Sequence, residues 1–390
     1  MRLVADSKIP FAREAFDQFG EVVTLDTREI TPVSVRTADV VLVRSETKVD
    51  RALLDGSNVK FVGTATIGTD HVDIDYLAGR GIGFSSAPGS NANSVAEYIV
   101  AALSELSARY DFRLKGMVLG VVGVGNIGSR VVRYAQALGM NVLQNDPPRA
   151  RQTGLPQFLP LDDLMGCDVL TLHVPLSRTG PDATFHFFNR DRIRKLKQGS
   201  ILINTSRGPV VETDALKNAL SLRHLRACVL DVWEHEPCID AELLRMSELG
   251  TPHISGYSFD GKVNGTRMLY EALCRHLGQP AVWDQRVSFG TEVNPSASVA
   301  VDASSPEVIL RKAVQQCYDI ERDDRSLRGV LNVPEDGRGS YFQNLRARYP
   351  RRREFFNSKV MLTPKQRVEG EVLSALGFQV EYQFGVAKSG

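Results

Sequence analysis

A chain of 390 residues is long for one hydrophobic core, so its length predicts two or three domains. Its 47 basic and 46 acidic side chains nearly cancel, and this balance leaves no global field that would attract nucleic acid or an anionic membrane. We recognise no signal peptide, no apolar run of the roughly 18 residues that span a bilayer and no metal-ligand spacing among the five cysteines, so we expect a cytoplasmic protein without membrane contact or bound metal.

The first hundred residues alternate short apolar strands with helical patterns, which predicts parallel βαβ units. Strands are predicted over residues 1–5, 40–43 and 59–63, and helices over residues 12–19 and 75–80. Ligands of such sheets bind outside the carboxyl ends of the strands. The polar residues that follow two of these strands, Arg44, Ser45 and Thr66, are therefore candidate substrate contacts.

A helix predicted over residues 94–110 leads into a strand that ends in a glycine-rich turn. The strand covers residues 118–122, and Gly123, Gly125 and Gly128 follow at the spacing of a dinucleotide-binding fingerprint. The first glycine allows a tight turn, the second lets backbone amides approach a pyrophosphate, and the third lets the next helix pack on the sheet. An ordinary strand-to-helix turn is the alternative. We favour the dinucleotide site because a second strand and Asp146 follow at the required distance.

Three further strand ends supply side chains suited to oxidising an alcohol, a reaction that needs a base, a group that tunes the base and a substrate anchor. Arg207 follows a strand that ends near residue 204, and its guanidinium fork suits a carboxylate. His253 follows a short strand, and histidine is the side chain that titrates nearest neutral pH. Glu236 follows a third strand and supplies a carboxylate that would favour the protonated imidazole.

Each of these side chains has an ordinary alternative. A loop arginine is commonly a surface ion pair, a single histidine is commonly structural, and a glutamate before proline commonly ends a loop. Their shared position at strand ends, beside a dinucleotide fingerprint, favours the catalytic interpretation. Two other histidines compete with His253: we expect His173 to pack where its strand passes the cofactor and His235 to face solvent.

The composition changes beyond residue 279. Residues 281–300 are rich in Pro, Ser, Gly and Asn and are predicted to be a linker. Helices are predicted over residues 306–318 and 341–348, before a βαβ-like end over residues 359–382. An arginine run with nearby aromatics suggests an RNA-binding patch. Because acids offset the run, we favour a solvated helix face or a subunit contact, without nucleic acid, for Arg346, Arg348, Arg351, Arg352 and Arg353.

Five motifs in order closely resemble the D-isomer-specific 2-hydroxyacid dehydrogenases over residues 1–280. They are Gly123-Val124-Gly125-Asn126-Ile127-Gly128, His173-Val174-Pro175-Leu176, Asn204-Thr205-Ser206-Arg207-Gly208, Asp231-Val232-Trp233-Glu234-His235-Glu236-Pro237 and Thr251-Pro252-His253. The resemblance implies NAD as cofactor and an α/β fold with two Rossmann-like, doubly wound parallel-sheet domains. These would be a split substrate-binding domain at residues 1–93 and 257–280 and an NAD-binding domain at residues 94–256.

The resemblance also implies a role for each matching residue. Arg207 would bind the substrate carboxylate, Glu236 would pair with the histidine, and His253 would be the acid/base. Asp231 would meet the nicotinamide carboxamide, and Asp146 would bind the adenosine ribose and disfavour the 2′-phosphate of NADP. The other implied cofactor contacts are Gly123, Gly125, Asn126, Ile127, Gly128, Val174, Ser206 and Gly256.

A second set of residues resembles one branch of this family, whose members oxidise a phosphorylated sugar acid at C2. The set is Val43-Arg44-Ser45, Gly63-Thr64-Ala65-Thr66, Gly68-Thr69-Asp70-His71, Asp146-Pro147-Pro148-Arg149-Ala150 and His253-Ile254-Ser255-Gly256-Tyr257-Ser258. It implies substrate contacts from Ser45, Thr66 and Tyr257, and a homodimer formed through a C-terminal α+β domain at residues 281–390. Because such a substrate has two anionic ends, we expect Arg44 with Ser45 to hold its phosphate.

Small departures from the family pattern occur at two places. Thr205-Ser206 precedes Arg207 where Ala-Cys or Ala-Ser is expected, and Val174 stands where a threonine often contacts the cofactor. Two alternatives stay open: the same catalytic set would serve 3-phosphoglycerate or hydroxypyruvate, and the same fold serves NADH-sensing transcriptional corepressors. The complete set of Arg207, Glu236 and His253, with the additional C-terminal unit, favours an enzyme.

Overall fold

The computed structural model describes residues 1–284, 299–300 and 305–383. Most of the linker predicted over residues 281–300, and the last residues of the predicted C-terminal domain, lie outside the described residues.

The described residues form two compact units. The first is Met1–Ala92 with the described part of Tyr257–Val293, and the second is Asn93–Gly256 with the described part of Asn294–Gly390. The predicted separation of the second unit into an NAD-binding and a C-terminal domain remains a prediction.

The first unit is built on a five-stranded parallel sheet with the order β2-β1-β3-β4-β5. Its strands are β1 (Arg2–Asp6), β2 (Glu21–Leu25), β3 (Val40–Val43), β4 (Phe61–Thr64) and β5 (Gly83–Ser85). Its α-helices are Ala12–Phe16, Pro32–Val35, Arg51–Leu54, Ile74–Gly79 and Phe259–Leu277. The sequence analysis missed β2, because this edge strand is only partly buried and lacks the continuous buried run of β3.

Alternate side chains of this sheet pack into two apolar layers, one on each face, as the two-residue period of a strand requires. Leu3 and Leu42 lie in the layer that contains Leu269 of the long helix Phe259–Leu277. Val4 and Val41 lie in the opposite layer. Because both faces are covered, the carboxyl edge of the sheet is where polar side chains can gather, and β3 and β4 are neighbours there.

The second unit contains a six-stranded parallel sheet with the order β11-β10-β9-β8-β6-β7. Its strands are β6 (Val118–Val122), β7 (Asn141–Asn145), β8 (Val169–Leu172), β9 (Ser200–Asn204), β10 (Leu225–Leu230) and β11 (Leu249–Gly250). The helices of this part are Ala92–Tyr110, Gly128–Ala137, Pro147–Thr153, Arg190–Lys195, Thr213–Ser221 and Ala241–Met246. The chain reverses its direction of strand addition at β6, the switch point where such sheets bind nucleotides.

The C-terminal part of the second unit combines helices with a small parallel sheet. The sheet has the order β12-β13-β14, with β12 (Val299–Ala300), β13 (Lys359–Leu362) and β14 (Gln379–Tyr382). The helices are Pro306–Cys317, Ile320–Arg328, Glu335–Ala347 and Arg367–Ala375. Two parallel α/β sheets and a C-terminal region with helices and a small sheet confirm the predicted fold class.

The structure differs from the sequence analysis at three places in this C-terminal part. The helix Ile320–Arg328 was not predicted, and the helix predicted to begin at Tyr341 begins at Glu335. Arg352 and Arg353 do not form a solvated face, since only 5% and 8% of their surface is exposed. The charged pattern suggested exposed side chains, whereas Arg352 and Arg353 have partners inside the fold.

Among the described residues, no helix combines the length and the apolar character needed to cross a membrane.

Candidate active site

The glycine-rich loop joins β6 to the helix Gly128–Ala137 through close backbone contacts. Gly123 has a φ of 85°, and a Cβ there would lie 2.6 Å from the carbonyl oxygen of His173. A Cβ on Gly128 would lie 2.0 Å from the carbonyl oxygen of Gly123. A Cβ on Gly125 would have no described atom within 4 Å, so the loop leaves open space there. Two glycines that cannot be replaced and one that faces open space fit the pyrophosphate of a dinucleotide.

Asp146 is tied to the same loop. Its Oδ2 accepts a hydrogen bond from the Val124 amide at 2.8 Å, and its Oδ1 accepts one from the Arg149 amide at 3.0 Å, at the start of the helix Pro147–Thr153. The Arg149 guanidinium donates to the Val124 carbonyl. The acid predicted to bind the adenosine ribose is therefore held at the end of β7, next to the glycine-rich loop.

The other predicted cofactor residues occupy four different loops. Ile127 precedes the helix Gly128–Ala137, and the Asn126 carbonyl accepts a hydrogen bond from the Arg130 side chain at 2.7 Å. Val174 follows β8, and its Cγ1 would lie 2.9 Å from a Cβ on Gly123. Ser206 and Gly256 lie on the loops that carry Arg207 and His253. Their roles toward NAD remain predictions.

A tight turn after β9 presents Arg207. The Asn204 side chain donates to the Arg207 carbonyl at 3.0 Å and accepts from the amide and hydroxyl of Ser206 at 3.0 and 2.7 Å. A Cβ on Gly208 would lie 1.9 Å from the Trp233 carbonyl oxygen, so this turn rests on the backbone that leads to Glu236. The sequence analysis did not identify Asn204 as the residue that shapes this turn.

His253 and Glu236 form a direct pair. His253 Nδ1 lies 2.8 Å from Glu236 Oε2, and the other carboxylate oxygen accepts from the Trp233 amide at 2.8 Å. Because a carboxylate only accepts, the hydrogen between them belongs to Nδ1, and Nε2 is left as the basic nitrogen. Burial raises the pKa of Glu236, but the charge and hydrogen bond of His253, with the Trp233 amide, outweigh burial and hold this pKa below its usual value.

The backbone of His253 is held in an uncommon conformation. Its φ of 56° lies in the left-handed region, and its amide donates to the Asp231 carbonyl at 2.7 Å. The fully buried Asp231 carboxylate accepts from the Thr251 hydroxyl and from the amides of Ile254 and Ser255, all within 2.9 Å. Asp231 therefore shapes the loop of His253, a contribution that the prediction of a nicotinamide contact did not include.

Two aromatic residues extend this support, and neither was identified from the sequence. Trp233 Nε1 donates to the Thr251 carbonyl at 3.0 Å. The buried Tyr98 hydroxyl lies 2.8 Å from the Thr251 hydroxyl, whose own hydrogen goes to Asp231. Tyr98 lies in a helix and Trp233 in a loop, and nothing in the sequence around them distinguishes these hydrogen-bonding roles from ordinary core packing.

The competing histidines behave differently from His253. His173 contacts the Thr171 and Thr205 hydroxyls at 3.0 and 3.3 Å, and burial lowers the pKa of His173 to about 3. It is therefore neutral over the range in which an acid/base must exchange a proton. His235 is exposed. Neither of these two histidines pairs with a carboxylate within the described residues.

A second histidine–carboxylate pair was not expected from the sequence. His186 Nε2 lies 2.7 Å from Glu234 Oε1. The other oxygen of Glu234 accepts from the Thr213 amide at 2.9 Å, at the start of the helix Thr213–Ser221. His186 stacks on Phe185 with ring centroids 4.0 Å apart. Because Glu234 also holds a helix terminus, we interpret this pair as structural.

The predicted substrate residues of the first unit lie at its carboxyl edge. Arg44 and Ser45 follow β3, and Thr66 follows the neighbouring strand β4. Between the two strand ends, the Ala65 amide donates a hydrogen bond to the Val43 carbonyl. Tyr257, at the start of the returning segment of this unit, packs under the Lys262 ammonium, 5.0 Å from the ring centre.

A chain of hydrogen bonds orients the Thr66 hydroxyl. Thr66 donates to the Gly68 carbonyl at 3.0 Å, so its 2.8 Å contact with the Thr64 hydroxyl is one that Thr64 donates. Thr64 must then accept from His71 Nε2 at 2.9 Å. The hydrogen of this contact therefore lies on Nε2, and burial lowers the pKa of His71. The Thr66 oxygen is left as an acceptor. The sequence analysis named His71 within a motif but predicted no role for it.

Comparisons with known proteins identify the family of this chain. Residues 91–255 match the NAD binding domain of the D-isomer specific 2-hydroxyacid dehydrogenases, and residues 292–377 match a domain of unknown function. Erythronate-4-phosphate dehydrogenase of Salinibacter ruber is 49% identical over 91% of this chain and 92% of its own length. The corresponding protein of Pseudomonas savastanoi pv. phaseolicola is 44% identical over 97% of this chain and 99% of its own length.

A solved structure extends the comparison to the fold. D-lactate dehydrogenase from Aquifex aeolicus, complexed with NAD and lactic acid, is 27% identical with a TM-score of 0.58, and the match covers 71% of this chain and 96% of that enzyme. The fold and the site define the chain as an NAD-dependent D-isomer specific 2-hydroxyacid dehydrogenase. Within that class, the chain belongs to the erythronate-4-phosphate dehydrogenases.

Proposed function

We propose that this chain oxidises 4-phospho-D-erythronate at C2 to 2-oxo-3-hydroxy-4-phosphobutanoate with NAD, a step in the biosynthesis of pyridoxal 5′-phosphate. The observation that carries the proposal is the 2.8 Å contact between His253 and Glu236, at the sheet edge where the Arg207 turn also lies. The names of the relatives, which cover nearly the whole chain, support this substrate.

The residues of the second unit suit the oxidation of a 2-hydroxy acid. Arg207 binds the carboxylate through its guanidinium fork, and His253 Nε2 takes the proton of the C2 hydroxyl. Glu236 stabilises the imidazolium that results. NAD, when bound, accepts the hydride from C2.

Other residues of this unit would hold the cofactor. The glycine-rich loop receives the pyrophosphate, Asp146 binds the adenosine ribose, and Asp231 meets the nicotinamide carboxamide. Because Asp146 is acidic, it repels the 2′-phosphate of NADP and favours NAD.

The residues of the first unit suit the phosphorylated end of the substrate. Arg44 and Ser45 supply a cation and a hydroxyl for the phosphate, while Tyr257 supplies a further hydroxyl. The Thr66 oxygen, oriented as an acceptor, suits a substrate hydroxyl rather than an anionic oxygen.

A substrate comparison tests the proposal. Purified protein with NAD is assayed with 4-phospho-D-erythronate, D-3-phosphoglycerate and, in the reductive direction with NADH, hydroxypyruvate. The account expects the highest kcat/KM with 4-phospho-D-erythronate. A higher kcat/KM with either of the other two compounds would assign that compound as the substrate. If none of the three is turned over while NADH still binds, the result would favour a corepressor.

The phosphate assignment has its own test. Arg44→Ala should raise KM for 4-phospho-D-erythronate about tenfold, because a charge-assisted hydrogen bond to a phosphate is lost. Arg36→Ala, which removes an exposed arginine of the same unit, is the matched control. An unchanged KM in Arg44→Ala would show that the phosphate is held elsewhere.

We propose further that the protein works in the cytoplasm as a homodimer through residues 281–390. The additional C-terminal region, and the chain's membership of a family of metabolic dehydrogenases, support these two points. Light scattering of the full chain should give twice the mass of one chain, and a monomer at assay concentration would contradict the dimer.

A further inference from the structure

The C-terminal region contacts the last residue of β11, immediately before the loop that carries His253. The helix Ile320–Arg328 places Asp324 Oδ1 2.7 Å from the Gly250 amide, at the end of the edge strand β11. The other oxygen of Asp324 accepts from Arg328 Nε at 2.8 Å. Arg328 also donates to the carbonyls of Leu244 and Ser247, at 2.9 and 2.7 Å. A carboxylate and a guanidinium therefore fix the backbone that leads into the loop.

The same loop is held near its other end by Arg352. Arg352 Nη2 donates to the Ser255 carbonyl at 2.6 Å, and its guanidinium lies 4.2 Å above the centre of the buried Tyr318 ring. Arg352 is 5% exposed, and its Nε and Nη1 have no hydrogen-bond partner among the described residues. Because Arg352 is buried, breaking its hydrogen bond to the Ser255 carbonyl would leave a further unsatisfied donor, so this bond restrains the carbonyl.

The loop that carries Glu236 is supported by the same C-terminal region. The helix Glu335–Ala347 packs on it through Gly339, where a Cβ would lie 3.2 Å from Cys238 Sγ and 3.4 Å from Pro237 Cγ. The charge of Arg346, on that helix, adds to the interactions that hold the pKa of Glu236 below its usual value. The loops of both His253 and Glu236 are thus contacted by residues of the C-terminal region.

We infer that residues 305–383 act as a positioning shell for the His253–Glu236 pair, with Arg352 and Asp324 as positioning residues. The inference rests on the proposed function of that pair. Asp231 holds the loop from inside the NAD-binding part, but its contacts leave the Gly250 amide and the Ser255 carbonyl to the C-terminal region. This assigns a catalytic contribution to a region whose family model has no known function.

The test compares two identical substitutions in the full chain. Arg352→Met removes the donor to Ser255, and Arg367→Met removes an exposed arginine of the helix Arg367–Ala375. NADH binding sites per chain are counted by fluorescence titration, and kcat is expressed per binding site. We expect Arg352→Met to lower kcat per site about tenfold or more, because a displaced acid/base loses its geometry. Arg367→Met should leave kcat per site unchanged.

A purely structural role gives a different result. It would lower the number of NADH sites and the activity together, leaving kcat per site at the wild-type value, and this would overturn the inference. Arg352→Lys, which keeps the cation, should recover part of the lost kcat per site. Asp324→Asn provides the same measurement at the other end of the loop if Arg352→Met does not fold.

Hydrogen exchange separates this inference from the proposed function. The peptide that covers residues 250–256 should exchange its amides faster in Arg352→Met than in Arg367→Met, whatever the substrate proves to be. Unchanged exchange would overturn the inference even if the wild-type protein oxidises 4-phospho-D-erythronate. If another 2-hydroxy acid is the substrate, kcat per site is measured with that acid.

Discussion

The glycine-rich loop after β6 and the His253 loop after β11 lie at the same edge of one parallel sheet, but they are held by opposite means. The first is fixed by close approach of backbone to backbone, at Gly123 and Gly128. The second is fixed by side chains that are distant in sequence, above all Asp231, Asp324 and Arg352. A loop that accommodates a cofactor needs room, whereas a loop that carries an acid/base needs fixed geometry.

Among changes to the residues that support the two loops, the largest expected effect breaks the backbone-held loop. Gly128→Ala places a Cβ 2.0 Å from the Gly123 carbonyl oxygen, an atom that cannot move without moving β6. NADH affinity, measured by fluorescence titration, should fall about a hundredfold or more, as expected when a tightly packed backbone is displaced. Gly166→Ala, at a position where a Cβ would meet no described atom within 4 Å, is the matched control and should bind NADH normally.

The next effect loosens the side-chain-held loop. Thr251→Val removes the hydroxyl between Asp231 and Tyr98 while it keeps the shape of the side chain. Two buried polar groups lose a partner, so unfolding by urea should cost about 2 kcal/mol less. Thr153→Val, at an exposed helical position, is the control. Equal stability of the two variants would contradict the assignment of this network.

A third change tests Asp146, the acid that accepts a hydrogen bond from the backbone-held loop. Asp146→Asn keeps an acceptor for the Val124 amide but removes the negative charge. The ratio of kcat/KM for NADP to that for NAD should rise about tenfold, because repulsion of the 2′-phosphate is relieved. A ratio that does not change would mean that Asp146 does not face the adenosine ribose.

The smallest effect concerns how His173 changes the free energy of unfolding as the pH falls. The His173 carbonyl lies next to Gly123 of the backbone-held loop. Burial lowers the pKa of His173 from an ordinary 6.5 to about 3. Between pH 6.5 and pH 3, this histidine is therefore protonated in the unfolded chain and neutral in the folded chain. Folding stability is therefore fully present above pH 6.5 and decreases as the pH falls toward 3. His173→Asn should reduce the loss of unfolding free energy between pH 7.5 and pH 5.5 by about 1 kcal/mol. An identical loss in both proteins would contradict a buried neutral ring.

The same contrast explains how much the sequence could predict. The strand, the three glycines and Asp146 lie within thirty residues, so local spacing indicated both their structure and their use. Arg207, Glu236 and His253 were predicted as candidate site residues because each follows a strand of a predicted parallel sheet. The contact between His253 and Glu236 needs only two neighbouring strand ends to meet, and the order of β10 and β11 in the sheet provides this.

What the sequence did not predict depends on long-range contacts. The helix Ile320–Arg328 is rich in charge and was missed, and its buried Asp323 and Asp324 have no local signature. Arg352 was expected on a solvated helix face or in a subunit contact, although it is buried against Tyr318 and donates a hydrogen bond to the Ser255 carbonyl. No spacing rule connects an arginine to a carbonyl almost a hundred residues earlier, so only the folded chain shows that contact.

The most direct test of the account is the rate of NADH formation from 4-phospho-D-erythronate by His253→Asn, with His235→Asn as its control. Both histidines have a positive φ, which asparagine tolerates, so the two changes are matched in backbone demand. The account predicts that kcat falls about a thousandfold in His253→Asn and stays near the wild-type value in His235→Asn. Wild-type turnover by His253→Asn, with NADH binding intact, would contradict it.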